Sequence, residues 1–378
     1  MITKIDFFKH DLGEPEIEAI RAVFAGTMLT TGDVAKHFEE QFASYLGRRH
    51  ALVVTSCTGA LHMSLLACGV GPGDEVITTP LTFIASSTAI IEAGARPVFV
   101  DVEPDTGNID AEKIEAAISP RTKAILPVHL YGQMADMRRI RSIADRHGLF
   151  VIEDSAHCIE GERDGFKPGQ LGHTACFSFY ATKNLTCGEG GALVTDDSRL
   201  LERLKLLRLH GMSKSAADRS TEGYRHWDMP AFGWKYNLDN IHAAILVAQL
   251  GRLEANWEKR QALAERYDQA LAAIPGMTRP VLRPGVRHGR HLYVAWFPPG
   301  ERDSAIGRMQ DRGISVMVNY RAIHLLTYFR ELLGHQPGDF PNAEAIGDRT
   351  MSLPFYPNMP LDHVDAVVDA VASRAGTR

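Results

Sequence analysis

Residues 51–69 read ALVVTSCTGALHMSLLACG: an apolar β-branched run, a turn of small residues, then a helical pattern with Leu61, Leu65 and Cys68 on one face. A strand that passes through a tight turn into a helix is the repeating unit of an α/β sheet, and the chain repeats it. From about His50 to Asp196, the runs EVITT, PVFVDV, KAILPV, LFVIED, CFSFY and ALVT are interleaved with amphipathic segments such as AEKIEAAIS and DMRRIRSIADRHG. Strands apolar on both faces and separated by helices predict an α/β fold with a mainly parallel central sheet covered on both sides. In such sheets ligands bind beyond the carboxyl ends of the strands.

After the sheet, Leu238 to Leu271 reads as one long helix, its apolar stripe broken only by Gly251. The proline-, glycine- and arginine-rich stretch IPGMTRPVLRPGVRHGRH follows. It predicts a join to a smaller C-terminal α/β domain holding HLYVAWFP, GISVMVNY and a final helix at about 361–372. The expected division is a large domain over 1–250 and a small one over 251–378, linked by the long helix.

The bulk numbers exclude several classes. With 378 residues, 45% hydrophobic and 23% charged, the chain has the composition of a soluble globular protein. A net charge of -5 gives no general attraction to polyanions, so nucleic-acid binding is not expected. No uncharged run approaches the ~20 residues that span a bilayer, and the start lacks an apolar signal region, so no membrane is expected and the location is read as cytoplasmic. Cys57, Cys68, Cys158, Cys176 and Cys187 contain no C-x-x-C pair and read as reduced thiols; no metal is expected.

Three strand ends carry chemistry. Thr58 is of a type that caps helices, and the N–H groups of the turn around it suit a phosphate, or a cap alone. Glu153 and Asp154 stand where LFVIED runs out; one is expected to face inward, where a carboxylate needs a cationic or proton-bearing partner. SFYATKNLTCGEGG, residues 178–191, delivers Ser178 and Lys183 to the same rim. A lysine in a half-dry site has its neutral amine favoured and is a nucleophile toward an aldehyde. An aldehyde cofactor with a phosphate and a basic ring nitrogen would use all three features, and pyridoxal 5'-phosphate has those groups.

In that order these motifs resemble the fold-type-I pyridoxal phosphate enzymes of the DegT/DnrJ/StrS group, the nucleotide-sugar aminotransferases. The similarity extends through GARPVFVDVEPDTGNID, ISPRTKAILPVHLYGQMADM, VIEDSAH, FSFYATKNLTCGEGGALVTDD, LRLHG and KYNLDNIHAAILVAQLGRLE. The resemblance implies that Lys183 bonds the cofactor aldehyde and then shuttles the proton, while Asp154 keeps the ring nitrogen protonated. It implies a phosphate held by Thr58, Gly59 and Ser178, with Asn237 reaching it from the partner subunit of a homodimer with shared active sites. Phe83 matches the aromatic that stacks on the ring, where many relatives have tryptophan, and is otherwise a core aromatic. His157 stands where many members have glutamine, and either touches the cofactor hydroxyl or packs. Cys57-Thr58-Gly59 departs from the commoner Gly-Thr-Ala.

The resemblance also implies the substrates, a nucleotide-linked keto sugar and glutamate in a ping-pong transfer. Lys235, Arg208 and Arg321 are the candidates for the pyrophosphate, Tyr320 and His324 for the sugar, and Glu189 is either a substrate-side group or a turn residue. The glycines after Lys183 are expected to let the backbone turn beside the cofactor. WKYN, EDSAH and KNLTCGEGG look most like the subgroup that aminates C4 of UDP-linked sugars, such as the enzyme making UDP-4-amino-4-deoxy-L-arabinose. Two rivals keep the fold. A sugar dehydratase would exchange the lysine for histidine or add an iron-sulfur cluster, and a non-catalytic regulator would bind the cofactor without turnover.

Overall fold

The computed structural model describes residues 4–214 and 226–373. Two helices precede the sheet, α1 (Glu14–Ala25) and α2 (Asp33–Leu46). In α2, Phe38, Phe42 and Leu46 recur every four residues, forming one fully buried stripe. The Phe42 ring meets Phe177 edge-on at 5.1 Å, which seats the helix on the sheet.

The strands and helices then alternate as expected: β1 (His50–Val54), α3 (Cys57–Ala67), β2 (Glu75–Thr78), α4 (Ala85–Glu92) and β3 (Arg96–Phe99). They continue as α5 (Ala111–Ile114), β4 (Thr122–Ile125), α6 (Met137–His147), β5 (Phe150–Asp154), the short β6 (Glu162–Arg163), β7 (Thr174–Ser178), β8 (Gly191–Thr195) and α7 (Ser198–Arg208). All seven runs read as strands enter one sheet, ordered β1-β8-β7-β5-β4-β2-β3. Only β8 runs against the rest, pairing antiparallel with both β1 and β7.

That one reversal positions the site. Ser178 pairs with Gly191, so β7 and β8 form a hairpin and the loop between them never leaves the rim where β5 and β7 end. A parallel crossover would have carried the chain back to the opposite rim.

The helix expected over 238–271 is two helices, α8 (Asn240–Leu250) and α9 (Leu253–Leu271). Arg252, between them, leaves helical geometry at φ -110°, ψ 8°, and its guanidinium turns back to Ala248 O, Asp11 and Glu16. The break thus anchors the N-terminal segment.

Beyond it come β9 (Val286–Arg287), β10 (Tyr293–Trp296), α10 (Arg302–Asp311), α11 (Thr327–Leu333), α12 (Pro341–Arg349), β11 (Thr350–Leu353) and α13 (Leu361–Ala372). HLYVAWFP supplies β10, whereas GISVMVNY forms no strand; Met317 makes one isolated bridge to Ser352. The partner of β10 is β11. The C-terminal core of Tyr267, Met351, Val364 and Val367 also takes in Ile5, whose N–H donates to Gly313 O at 3.0 Å. The chain's start therefore belongs with its end rather than with the sheet. Among the described residues no helix is long and apolar enough to cross a membrane.

Candidate active site

Of the two acids that end β5, Asp154 faces the rim. Its Oδ2 accepts from Ser86 Oγ at 2.7 Å and its Oδ1 from the Ala156 N–H at 3.1 Å. Burial raises the Asp154 pKa, against the pull of Ser86, the Ala156 N–H, Lys183 and His129. Ser86, in the first turn of α4, is a site residue that sequence reading missed; its only local signal was a serine soon after PLTF.

Lys183 sits in the β7–β8 loop, its N–H donating to Tyr180 O at 2.9 Å. The residue as a whole is half-buried while its amine lies deeper, and burial brings that amine down to about 8, with Cys57 and Asp154 pulling the other way. Nζ stands 3.3 Å from His291 Nε2, and the His291 ring lies 4.6 Å from that of His157. His291 was also missed. It lies just before β10, in a remote part of the chain, and its local signal was a pair of histidines in RHGRH ahead of an apolar strand.

His157 is buried, and that burial, followed by the nearby Lys183, holds its ring well below the ordinary histidine range, hence neutral. Its Nδ1 accepts the Tyr131 N–H at 3.3 Å, so we assign the proton to Nε2, which donates to Tyr320 Oη at 3.1 Å. Tyr320 stacks on His157 at 5.8 Å and 14° and meets Phe83 at 6.0 Å. Phe83 is 54% exposed, so it is not a core aromatic. Asp154, Lys183, His157, Tyr320 and Phe83 are thus gathered at one rim.

At the β1 end the helix cap is Ser56, not Thr58: Ser56 Oγ accepts the Gly59 N–H at 3.0 Å. The Gly59 N–H is therefore committed, and the open donors of the first turn are those of Cys57 and Thr58. Ser178 Oγ, close by, accepts the Tyr180 N–H at 3.3 Å and retains its own proton to donate. The glycine cluster serves this end differently from expectation. Gly188 makes the turn at φ +87°, but a Cβ on Gly191 would lie 2.6 Å from Cys57 N and one on Gly190 2.5 Å from Cys187 Sγ. Those two glycines make room for the start of α3 and for a core thiol.

The remaining candidates are dispersed. Asn237 bridges Val54, donates to Thr31 Oγ1 at 2.7 Å and accepts from Lys235 Nζ. Both line a groove of about 980 Å³ bounded by α2 and α7, and Lys183 is not among its lining residues. Arg208, in the same groove, is tied to Glu39 at 2.6 Å and to Val53 O. Glu189 and Arg321 are exposed. His324 is corrected: fully buried, it bonds Glu344 at 3.0 Å and packs on Phe340 at 4.8 Å, so it is enclosed beside the core that Phe340 shares with Phe99, Tyr131 and Ile346 and is not open to a substrate.

The donor set fits pyridoxal 5'-phosphate. Asp154 is an enclosed carboxyl in want of a cationic N–H, Phe83 offers an open aromatic face, and Lys183 offers a half-dry amine. The start of α3 and Ser178 present N–H and O–H donors for a phosphate.

The model of the DegT/DnrJ/EryC1/StrS aminotransferase family matches residues 10–372. The chain is 42% identical over 366 residues to the spore coat polysaccharide biosynthesis protein SpsC of Bacillus subtilis, covering 95% of this chain and 94% of SpsC. Among solved structures, DesV of S. venezuelae is 36% identical with a TM-score of 0.88, covering 96% of this chain and 95% of its own. PseC of Helicobacter pylori, an aminotransferase of pseudoaminic acid biosynthesis, is 30% identical with a TM-score of 0.90 and covers 98% of both chains. The shared architecture is fold type I of the PLP-dependent transferases.

Proposed function

This chain belongs to the DegT/DnrJ/EryC1/StrS aminotransferase family, and on that premise we propose that it moves an amino group from glutamate to C4 of a nucleotide-linked keto sugar with pyridoxal 5'-phosphate as cofactor. The observation that carries the reading is the meeting of an amine lowered to about 8 with an enclosed carboxyl at one sheet rim.

The cofactor, when bound, supplies an aldehyde and a ring that accepts an electron pair. The chain's own groups do the rest. Lys183, which gives up its proton more readily than a solvated lysine and so holds a larger fraction of free amine near neutral pH, is the nucleophile and then the base that moves the proton between carbons. Asp154, held by Ser86 and the Ala156 N–H, keeps a proton on the ring nitrogen. The N–H groups of Cys57 and Thr58 and the Ser178 hydroxyl anchor the phosphate. Phe83 stacks on the ring, and Tyr320, whose hydroxyl accepts from His157, has its own proton free for a substrate or cofactor oxygen.

We read residues 1–250 as the part that holds the cofactor and 251–378 as the part that covers it, the latter contributing His291 and Tyr320. Asn237 and Lys235, which line a groove that Lys183 does not, suit a homodimer in which they serve the partner's site. With glutamate and a panel of UDP-, dTDP- and GDP-linked 4-keto sugars, mass spectrometry should find one amino sugar with 2-oxoglutarate, lost in Lys183→Ala. Amination of none of them, or turnover by Lys183→Ala, overturns the reading.

A further inference from the structure

We propose that His291 is a positioning residue for Lys183: its ring is held in the tautomer with the proton on Nε2, which donates to Lys183 Nζ and keeps the lysine a free amine. The geometry has three parts. His291 is 6% exposed, and Nε2 lies 3.3 Å from Nζ in a part-buried contact. Behind the ring, His291 Nδ1 and the Nε and Nη1 of Arg260 are buried without a protein partner among the described residues. Both side chains line a pocket of about 20 Å³, bounded also by Lys183, Asn184, Gln249 and Asn256. That volume admits one water.

Arg260 fixes the direction of the hydrogen bonds. A guanidinium carries donors only, so a water in the pocket accepts from Arg260 and turns its hydrogens to His291 Nδ1. Nδ1 is then the acceptor of the ring, and Nε2 must carry the proton. Arg260 cannot turn away, because its Nη2 is paired with the buried Glu160, which in turn accepts from Asn184 at 2.9 Å. The result is a line running Glu160, Arg260, water, His291, Lys183, in which each donor is followed by an acceptor.

The charges around the ring agree. Burial, then Lys183, His157, Arg260 and His288, all oppose an imidazolium at His291, and His288 is itself pushed down to about 3 and neutral. On the far side of Nζ the facing groups are Cys57 and Asp154, which favour the ammonium. Among the described residues, a neutral ring that donates to Nζ is the one contact that favours the free base by hydrogen bonding. The opposite tautomer would accept from an ammonium and raise the amine instead.

The inference rests on Lys183 being the reacting amine, and its test is read without sugar or turnover. In the cofactor-free full-length chain, the pH dependence of Lys183 labelling by fluorodinitrobenzene, followed by peptide mass spectrometry, reports the free amine. Wild type should show a midpoint near about 8. In His291→Phe, which keeps ring shape and removes both nitrogens, the midpoint should rise by about one pH unit because a donor to the free base is gone. The greater apolarity of phenylalanine works the other way, so an unchanged or lower midpoint overturns the proposal. Should His291→Phe not fold, neutron diffraction of the wild-type crystal decides: a deuteron on Nε2 with a bare Nδ1 supports it, and a deuteron on Nδ1 sinks it. Either failure leaves amino transfer by Lys183 standing, whereas loss of amino transfer leaves the tautomer measurement intact.

Discussion

Two carboxylates stand side by side at the end of β5, one on each face of the strand, and they have been finished to different degrees. Glu153, fully buried, accepts from the His129 ring at 2.8 Å, the Gly169 N–H at 2.8 Å and the Gly172 N–H at 2.6 Å. Asp154, also buried, accepts among the described residues only from Ser86 and the Ala156 N–H, and its pKa is raised by burial. A carboxylate has about four acceptor sites, so Glu153 is close to complete and Asp154 is not. Burial alone would rank the two equally. The difference is that one face closes the protein's own loops while the other is left for a partner that the chain does not supply, together with a lysine and two histidines whose charge is likewise held back.

The sharpest way to break this contrast is to neutralise each acid in turn. Asp154→Asn keeps shape and packing, so the chain should fold as before while amino transfer falls on the order of 10²–10³-fold, the size expected when a fixed charge complementary to the reacting group is removed. Steady-state rates and urea midpoints measured on the same preparation check this, and a variant with near-normal turnover would return Asp154 to the structural class. Glu153→Gln should do the reverse. Its amide N–H would confront the Gly169 or Gly172 N–H, so stability should drop by about 3 kcal/mol in urea unfolding, with activity per folded molecule little changed.

What the sequence made legible follows from how local each signal is. The seven strands are short apolar runs that need no distant information, and all seven take their places in the sheet. The rim residues Asp154 and Lys183 were legible because strand ends are. His291 and Ser86 were not, since they reach the site from the segment before β10 and from α4, and no motif near either one announces it. His324 erred in the opposite direction: four residues from Tyr320, it was assigned to the same site, yet Glu344 and Phe340 hold it closed inside the protein. The cap erred by two residues, Ser56 for Thr58, because both are capping types and the extended backbone of the cap falls at Ser56, φ -166°.

The smallest effect tests whether the unfinished face costs stability while the finished face adds it. In the folded cofactor-free chain the Lys183 amine lies at about 8, and a solvated lysine in the unfolded chain lies near 10.5. Below about pH 8 both states carry the charge, and the folded one bears the full burden of enclosing it. Between 8 and 10.5 the unfolded chain binds more protons than the folded one, so the burden shrinks as pH rises, and above 10.5 it is gone. Lys183→Met, with a similar length and no charge, should therefore stabilise the cofactor-free chain by about 2 kcal/mol at pH 7, and by about half of that or less at pH 9.5. Urea unfolding at the two values, at fixed protein concentration, measures it. A destabilised variant at pH 7, or a gain that grows with pH, would mean that the amine is at ease where it stands. The contrast between the two faces of β5 would then lie in Asp154 alone.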